Sequence, residues 1–180
     1  MTSSDTNIDL RRAFGSFATG VVVVTSKDSE SGSLIGLTIN SFSSVSLSPP
    51  LISWALRDGS RRFCLFQIGT EFAINILSIN QRDISIRFSA SVGNRFEDLP
   101  YHLSNNGIPL IDGCVGFIEC TVAKRYVAGD HDLILGQVEA WQINAPSDPL
   151  IFYRGNYLAN KVVETGTLTG LALREASAFR

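Results

Sequence analysis

The sequence predicts a mainly β fold with short helices, arranged as an antiparallel barrel. Strand-like runs outnumber helical ones, and most helical runs are short, which favours an antiparallel barrel over a parallel sheet. The clearest runs, residues 115–126 and 132–141, flank the turn VAGD as the arms of a long hairpin. At 180 residues the chain is long enough for one buried core and short for two. We therefore expect a single domain over residues 1–180, although hydrophobic periodicity does not fix the barrel topology.

The first elements follow from the spacing of apolar residues. Helical spacing after an N-cap residue predicts a short N-terminal helix that Gly20 ends. The N-cap and the spaced residues are Asp9, Leu10, Ala13, Phe14 and Phe17. The apolar run VVVVT, residues 21–25, predicts a buried strand. The turn-rich KDSESGS, residues 27–33, connects it to a second strand at residues 34–40.

The middle of the chain supplies two more strands, at residues 51–56 and 72–77. Between them, the aromatic spacing in SRRFCLFQIG favours a short helix. A second helix is predicted to begin near Asn80, because an acidic residue three positions later approximates a capping box. Ile84 and Phe88 would then share one face of that helix.

Composition limits the kinds of partner. The formal net charge is -2, from 15 basic and 17 acidic residues that are interspersed along the chain. This pattern lacks the basic footprint of a nucleic-acid or anionic-membrane surface, so diffusible small molecules are the expected partners. No apolar run approaches the roughly 18 residues that a membrane span requires. Three cysteines without a CxxC pair suit a reducing compartment, and we expect a cytoplasmic protein.

Several common catalytic motifs are absent from the sequence. It holds no GxGxxG fingerprint, no GxxxxGK[ST] loop and no GxSxG elbow. The two histidines and the scattered cysteines do not have zinc-ligand spacing, so we expect no metal site. These exclusions point to chemistry carried by a cofactor, to which the protein contributes binding, orientation and electrostatics.

The segment GLTINSFSSVSLSPPLISWAL, residues 36–56, is the most informative part of the chain. It places hydroxyls, a carboxamide and two prolines between apolar runs, whereas a half-buried strand would alternate apolar and polar residues. Its donors are Thr38, Asn40, Ser41, Ser43, Ser44, Ser46 and Ser48. Neutral donors without a basic cluster suit the polyol and phosphate of a nucleotide-like cofactor. The alternative, a polar edge strand whose hydroxyls contact water, fits the pattern equally well.

This segment resembles the flavin-binding signature of the flavin reductase family, the small reductase components of two-component flavin monooxygenases. Four further blocks stand in family order: FATGVVVVT, FAINILSINQRDISIRFS, GDHDLILGQV and PLIFYRGNY. The resemblance covers about residues 10–158 and leaves residues 160–180 as a tail. It implies a Greek-key split β-barrel of the FMN-binding type, in a homodimer with flavin at or near the subunit interface.

The same resemblance implies an NAD(P)H:flavin oxidoreductase. The enzyme would transfer hydride from NADH or NADPH to FMN or FAD, and would supply reduced flavin by diffusion to a separate monooxygenase. Two alternatives stay open. One is an oxidase of the related barrels that holds its flavin tightly, and the other is a flavin-binding barrel module that is not an enzyme. Both predict flavin binding without turnover of NAD(P)H.

The first group of site residues lies in and just after the polar segment. By resemblance, Thr38, Asn40 and Ser41 contact the isoalloxazine edge and the ribityl chain of the flavin. Arg57 and Ser60 precede a predicted helix, where helix N–H groups and a cation suit a phosphate. Ser60 is the stronger candidate, because a hydroxyl at a helix start can cap the helix and contact phosphate. The two arginines that follow fit a phosphate contact and a solvated face equally.

The second group follows the strand FAINIL, where the family places further flavin contacts. This selects Ser78, Ser85, Arg87 and Phe88. Arg87 would pair with the phosphate, and Phe88 would lie against the ring system or the adenine of FAD. Simple core packing is the alternative for Phe88.

The third group belongs to the hydride donor. A lone histidine is more often structural than catalytic, but His131 in GDHDLILG matches a family histidine beside the nicotinamide and the flavin. The resemblance therefore assigns His131 to positioning the nicotinamide. Arg154 and Tyr157, in FYRGNY, lie close to the family's pyridine-nucleotide site, where an aromatic ring can stack and an arginine can hold pyrophosphate. A tyrosine-rich barrel rim is the alternative for both.

Overall fold

The structure, a computed structural model, describes residues 3–60, 63–90, 95–144 and 147–158. Its helices in these ranges are α1 (Ser3–Phe14) and α2 (Arg82–Ser89), with 3-10 helices at Phe63–Leu65 and Ile79–Gln81. Its strands are β1 (Thr19–Gly20), β2 (Val22–Lys27), β3 (Leu34–Ile39), β4 (Ser43–Leu47), β5 (Pro50–Arg57), β6 (Glu71–Ile76), β7 (Tyr101–Leu103), β8 (Pro109–Ile111), β9 (Gly116–Ala128), β10 (His131–Ile143), β11 (Ile151–Tyr153) and β12 (Asn156–Leu158).

Seven of these strands form one sheet, in the order β3-β2-β6-β9-β10-β5-β4. Every neighbouring pair in it is antiparallel, and the long hairpin β9–β10 lies near its centre. A three-stranded sheet, β1-β11-β12, and the hairpin β7–β8 stand beside it. The predicted mainly β fold, with short helices and antiparallel strands, is confirmed at this level.

Both faces of the large sheet are covered. Val22 and Val24 belong to one core cluster, whereas Val21 and Val23 belong to a second, because alternate side chains of a strand point to opposite faces. The first cluster draws buried residues from β2, β3, β5, β6, β9 and β10, so the sheet curves around it. The second packs α2 and β8 against the opposite face of β2 and β6.

A fully buried polar group fixes the β7–β8 hairpin to the sheet. The Asn75 amide on β6 donates to the Val23 carbonyl and to Thr25 Oγ1, at 3.0 and 2.9 Å, and accepts from the Ile111 N–H at 2.7 Å. The Thr25 hydroxyl in turn donates to the Pro109 carbonyl at 2.6 Å. Because its side-chain oxygen and nitrogen are both bonded, Asn75 is buried without an unsatisfied group.

Three predicted elements differ in detail. The N-terminal helix begins at Ser3, so Asp9 lies inside it rather than capping it. In the described part of the segment between β5 and β6, the helical residues are those of the 3-10 turn Phe63–Leu65. The second helix begins at Arg82 after another 3-10 turn, and the Gln81 side chain accepts from the Ser78 N–H at 2.9 Å. Gln81 therefore takes the capping role that the spacing assigned to the acidic residue after Asn80.

The three cysteines differ in environment. Cys114 and Cys120 are buried, and burial raises the pKa of each thiol to about 12, whereas Cys64 is exposed. Two predictions lie outside the described residues, namely the tail at residues 160–180 and the pair Arg61 and Arg62. Within the described ranges, no helix has the length and apolar character that crossing a bilayer requires.

Candidate active site

The polar segment brings its donors to the uncovered end of β5. The strand β4 pairs with β5 only as far as Ser53, and β5 continues to Arg57 without that neighbour. Beyond Ser53, the loop between β3 and β4 lies beside β5 in place of β4, because Ser41 Oγ accepts from the Ala55 N–H at 3.0 Å. Asn40 is exposed and makes no hydrogen bond to another described residue. We call this end of β5, with residues 40–41 beside it, the β5 rim.

His131 joins the β5 rim through strand register. It is the first residue of β10 and lies directly opposite Arg57 of β5. Arg57 is two residues beyond Ala55, a distance of about 7 Å along a strand. The His131 side chain is 39% exposed. The rim thus combines a carboxamide, a hydroxyl, a guanidinium and an accessible imidazole, contributed by residues far apart in the sequence.

The neighbour of His131 sets the orientation of its ring. His131 Nδ1 lies 2.8 Å from Asp130 Oδ1. That hydrogen bond, followed by the charge of His131 and that of Arg57, lowers the pKa of Asp130 below its ordinary value. Since an ionised carboxylate only accepts, His131 Nδ1 is the donor, which leaves Nε2 as the ring nitrogen that is not bonded to Asp130. The pair therefore presents one defined nitrogen of the ring.

Three residues that the sequence predicts as ligand contacts are joined by hydrogen bonds. The Thr38 hydroxyl donates to the Ser85 carbonyl at 2.7 Å, and the Ser85 hydroxyl lies 2.8 Å from the Tyr157 hydroxyl. The Arg82 guanidinium lies over the Tyr157 ring, 5.7 Å from its centroid. These hydrogen bonds join β3, α2 and β12. They hold residues 38–41 against the helix and so position the loop that supplies the β5 rim.

Ser60 ends a tight turn next to the rim. Its N–H donates to the Arg57 carbonyl at 3.2 Å, and its own carbonyl accepts from the Phe63 N–H at 2.9 Å. The Asp58 N–H donates to the Asp130 carbonyl at 2.9 Å. The turn that carries Ser60 is therefore attached to Asp130, the residue that precedes His131.

Three other predicted residues lie away from the rim. Ser78 is buried at the end of β6, bridged to Pro149. Arg87 is exposed, and its Nη1 donates to the Glu97 carbonyl at 2.8 Å. Phe88 is 1% exposed and packs edge to face on Phe96 at 5.1 Å. So enclosed a ring has almost no surface left for a ligand, which favours core packing over a flavin contact.

Arg154 belongs to a separate cleft. It lies in the turn between β11 and β12 with a φ of 48°, and its N–H donates to the Gly15 carbonyl at 2.9 Å. Its guanidinium stands over Tyr153, 5.2 Å from the ring centroid. With Arg11 and Arg12 of α1 it lines a cleft of about 640 Å³. No described contact joins this cleft to His131.

Sequence reasoning missed Asp130 and a nearly buried ion pair between Arg125 and Asp132. The run GDHD placed two aspartates beside the histidine and was the available signal for the first. Arg125 gave none, because its partners depend on the register of β9 against β10 and on a turn that is distant in sequence.

The donors of the β5 rim match the chemistry of a flavin. Neutral N–H and O–H donors suit the carbonyl oxygens and hydroxyls of the ring and the ribityl chain, while a nearby cation suits a phosphate. The unpaired edge of β5 also offers backbone groups at the same place. The residues present therefore fit a flavin.

Comparison with known proteins agrees with this chemistry. A family model described as flavin reductase like domain matches residues 14–161. The chain belongs to the flavin reductase family and is thus an oxidoreductase. It is 42% identical over 147 residues to the FMN reductase (NADH) SmoA of Agrobacterium fabrum, with 82% of each protein covered. It spans only 50% of a longer relative, a probable flavin reductase of Rhizobium meliloti.

Two further comparisons concern a partner and a solved structure. The chain is 34% identical over 149 residues to HsaB, the reductase subunit of a flavin-dependent monooxygenase of Mycobacterium tuberculosis, covering 82% of this chain and 79% of that protein. The NADH:FAD oxidoreductase of Streptomyces globisporus, solved with NAD and FAD fragments, superposes with a TM-score of 0.83 at 31% identity. That alignment covers 91% of this chain and 98% of the other.

Proposed function

We propose that this chain catalyses reduction of a freely exchanging flavin, FMN or FAD, by hydride from NADH or NADPH. The observation that carries the proposal is the β5 rim, where Ser41 bonds to the open end of β5 and His131 lies opposite Arg57. The relatives support the choice of substrates, because one is an FMN reductase that uses NADH and another was solved with NAD and FAD fragments.

In this proposal the rim holds the flavin and the adjoining turn holds its phosphate. Asn40, Ser41 and backbone N–H groups would donate to the ring edge and ribityl chain, and Arg57 and Ser60 would contact the phosphate. Flavin supplies a hydride acceptor at N5 when it is bound. Fixed donors near N1 and O2 favour reduction, because they stabilise the negative charge of the reduced ring.

The other predicted residues have different places in the proposal. Thr38, Ser85 and Tyr157 act on the flavin indirectly, through the hydrogen-bonded chain that holds residues 38–41. Contacts of Arg87 with the flavin phosphate and of Arg154 with the hydride donor stay predictions. Ser78 and Phe88 are left out, because both side chains are buried.

His131 would position the nicotinamide against the flavin. Its Nδ1 is committed to Asp130, which leaves Nε2 as an acceptor for an amide donor of the nicotinamide. Hydride transfer between two stacked rings needs little acid or base catalysis, so most of the rate enhancement would come from proximity and orientation. On this account Asp130, the carboxylate bonded to His131, orients the imidazole ring and takes no part in acid or base catalysis.

We further propose that the large sheet closes into a Greek-key split barrel and that two copies form a homodimer. Barrel closure is supported by the first core cluster, which joins side chains of β3, at one edge of the sheet, with those of β5, next to the other edge. Dimer formation is supported by exposed apolar side chains on β4, β9 and β10, namely Val45, Leu47, Tyr126, Val127 and Leu133. Sedimentation should give twice the chain mass of 19.6 kDa, and a monomeric active enzyme would contradict the dimer.

The proposed partner is a separate flavin-dependent monooxygenase that receives reduced flavin by diffusion. The support is the relation to HsaB, a reductase subunit of such an enzyme. A cytoplasmic location is part of the proposal and is supported by three free cysteines, which suit a reducing compartment.

Steady-state turnover tests the proposed function. Purified protein should consume NADH or NADPH when FMN or FAD is added, and consumption should saturate with flavin. Absence of turnover in all four combinations would refute the reductase. Flavin binding without nicotinamide oxidation would instead support the tightly bound oxidase or the non-enzymatic module.

A further inference from the structure

A nearly buried ion pair lies beneath the site. Arg125 of β9 donates from Nε and Nη2 to Asp132 Oδ2, at 3.0 and 2.7 Å. The two side chains are 11% and 9% exposed. Asp132 directly follows His131, and it faces the core because it lies two residues from Ile134, which pairs with Arg125 across the hairpin. The guanidinium is therefore anchored on the strand that carries His131.

The remaining nitrogen of Arg125 reaches the segment that follows β5. Its Nη1 donates to the carbonyls of Phe63 and Phe66, at 3.1 and 3.0 Å. The guanidinium also stacks over the Phe63 ring, 4.3 Å from its centroid. The Phe63 N–H in turn donates to the Ser60 carbonyl. One side chain thus connects β10 to the turn that presents Ser60.

Stability alone does not explain this arrangement. Burying two charges costs solvation free energy, and their mutual attraction roughly offsets that cost. An apolar pair of similar volume therefore often gives a protein the same stability. An apolar pair cannot bond the carbonyls of Phe63 and Phe66, which lie in and just after the 3-10 turn. Arginine can, because its donors form a planar fork. The hydrogen bonds of Arg125 therefore fix the position of the segment after β5.

We propose that Arg125, oriented by Asp132, is a positioning residue that fixes the Ser60 turn for binding of the flavin phosphate. The proposal rests on the proposed function, in which Ser60 contacts that phosphate. It assigns the ion pair to flavin binding alone, since His131 is already held between β5 and β9 by strand pairing. Loosening the turn should weaken ligands that carry the phosphate and leave other ligands unchanged.

Binding of FMN and of riboflavin, which lacks the phosphate, tests this assignment. In Arg125→Lys, the ammonium keeps a charge opposite Asp132 but cannot bond Asp132 and both carbonyls. We expect the Kd of FMN to rise about tenfold, as for loss of one charge-assisted contact, while the Kd of riboflavin changes less than about twofold. The Michaelis constant for the nicotinamide should also stay unchanged. Fluorescence titration and steady-state kinetics give these values.

A second variant separates positioning from stability. The double variant Arg125→Met with Asp132→Leu removes both charges together, so it leaves no unpaired buried ion, and the folded protein should show the same selective loss of FMN affinity. Asp112→Asn is the matched control, because it changes an aspartate of an exposed pair, 2.9 Å from His102, and should bind both ligands normally. If the double variant does not fold, the FMN and riboflavin affinities of Arg125→Lys test the proposal.

The outcomes distinguish this inference from the proposed function. Equal weakening of FMN and riboflavin, or wild-type affinity for both in a folded Arg125 variant, would overturn the positioning role. Ser60→Ala serves as the reference and should also weaken FMN selectively. If Ser60→Ala binds FMN normally, or if the wild type binds no flavin, the proposed function fails at this segment and the ion pair is structural.

Discussion

Replacing Phe88 by alanine should lower the free energy of unfolding by about 3–5 kcal/mol, the usual cost of removing a buried phenylalanine. The ring is 1% exposed, contacts Phe96 edge to face and fills the space over Gly36. A β-carbon on Gly36 would lie 2.2 Å from a Phe88 ring carbon, so helix and strand meet at this ring. Denaturant unfolding monitored by circular dichroism measures the loss.

One control variant tests stability, and a conservative variant tests flavin binding. Ile86→Ala changes an exposed position of the same helix and should alter the free energy of unfolding by less than about 0.5 kcal/mol. Phe88→Leu, which retains most of the apolar volume, should bind flavin with wild-type affinity. A stable Phe88→Leu protein with strongly reduced flavin affinity would reverse our interpretation and return Phe88 to the flavin site.

Removing the His131 side chain should produce the largest kinetic effect. We expect His131→Ala to lower kcat/KM for the nicotinamide about tenfold, equal to about 1.4 kcal/mol of transition-state stabilisation. The Kd of flavin should change little, since the donors of the rim come from residues 40–41 and from β5. Initial rates at varied NADH, together with flavin titration, separate the two quantities.

The second histidine offers a matched control. His102 also pairs with an aspartate, Asp112 at 2.9 Å, and it is likewise accessible. His102→Ala should therefore retain wild-type kinetics. Equal losses in the two variants would show a general effect of removing a histidine–aspartate pair. Wild-type kinetics in His131→Ala, or an equal loss of flavin affinity, would count against a role at the nicotinamide.

Elements with local signals were predictable from the sequence. The β9–β10 hairpin follows from two β-rich runs around a short turn, and Gly129 there has the φ of 68° that favours glycine. The strand β2 follows from its run of valines. The strands of two or three residues, such as β1 and β11, carry too few residues for a period. The hydrogen bonds of Asn75 could not be predicted either, because its partners lie 36 to 52 residues away in the sequence.

The candidate site divides in the same way. Polar residues of the segment 38–41 and the histidine in GDHD could be selected from the sequence, because their types fit the chemistry and the blocks match a family. Their relative positions could not be predicted, since the pairing of His131 with Arg57 depends on the register of β10 against β5. For the same reason the hydrogen bonds that join Thr38 to Ser85 and Ser85 to Tyr157 could not be predicted, although each residue was selected as a ligand contact.

Anaerobic reduction of flavin by NADH tests the central claim most directly. Catalytic amounts of the protein should bleach the visible absorbance of FMN or FAD, with one NADH consumed for each flavin reduced. Deuterium at one of the two C4 positions of NADH should slow the reaction, because that hydrogen moves as hydride. No bleaching with either flavin and either nicotinamide, or a rate equal to that without protein, would contradict the account.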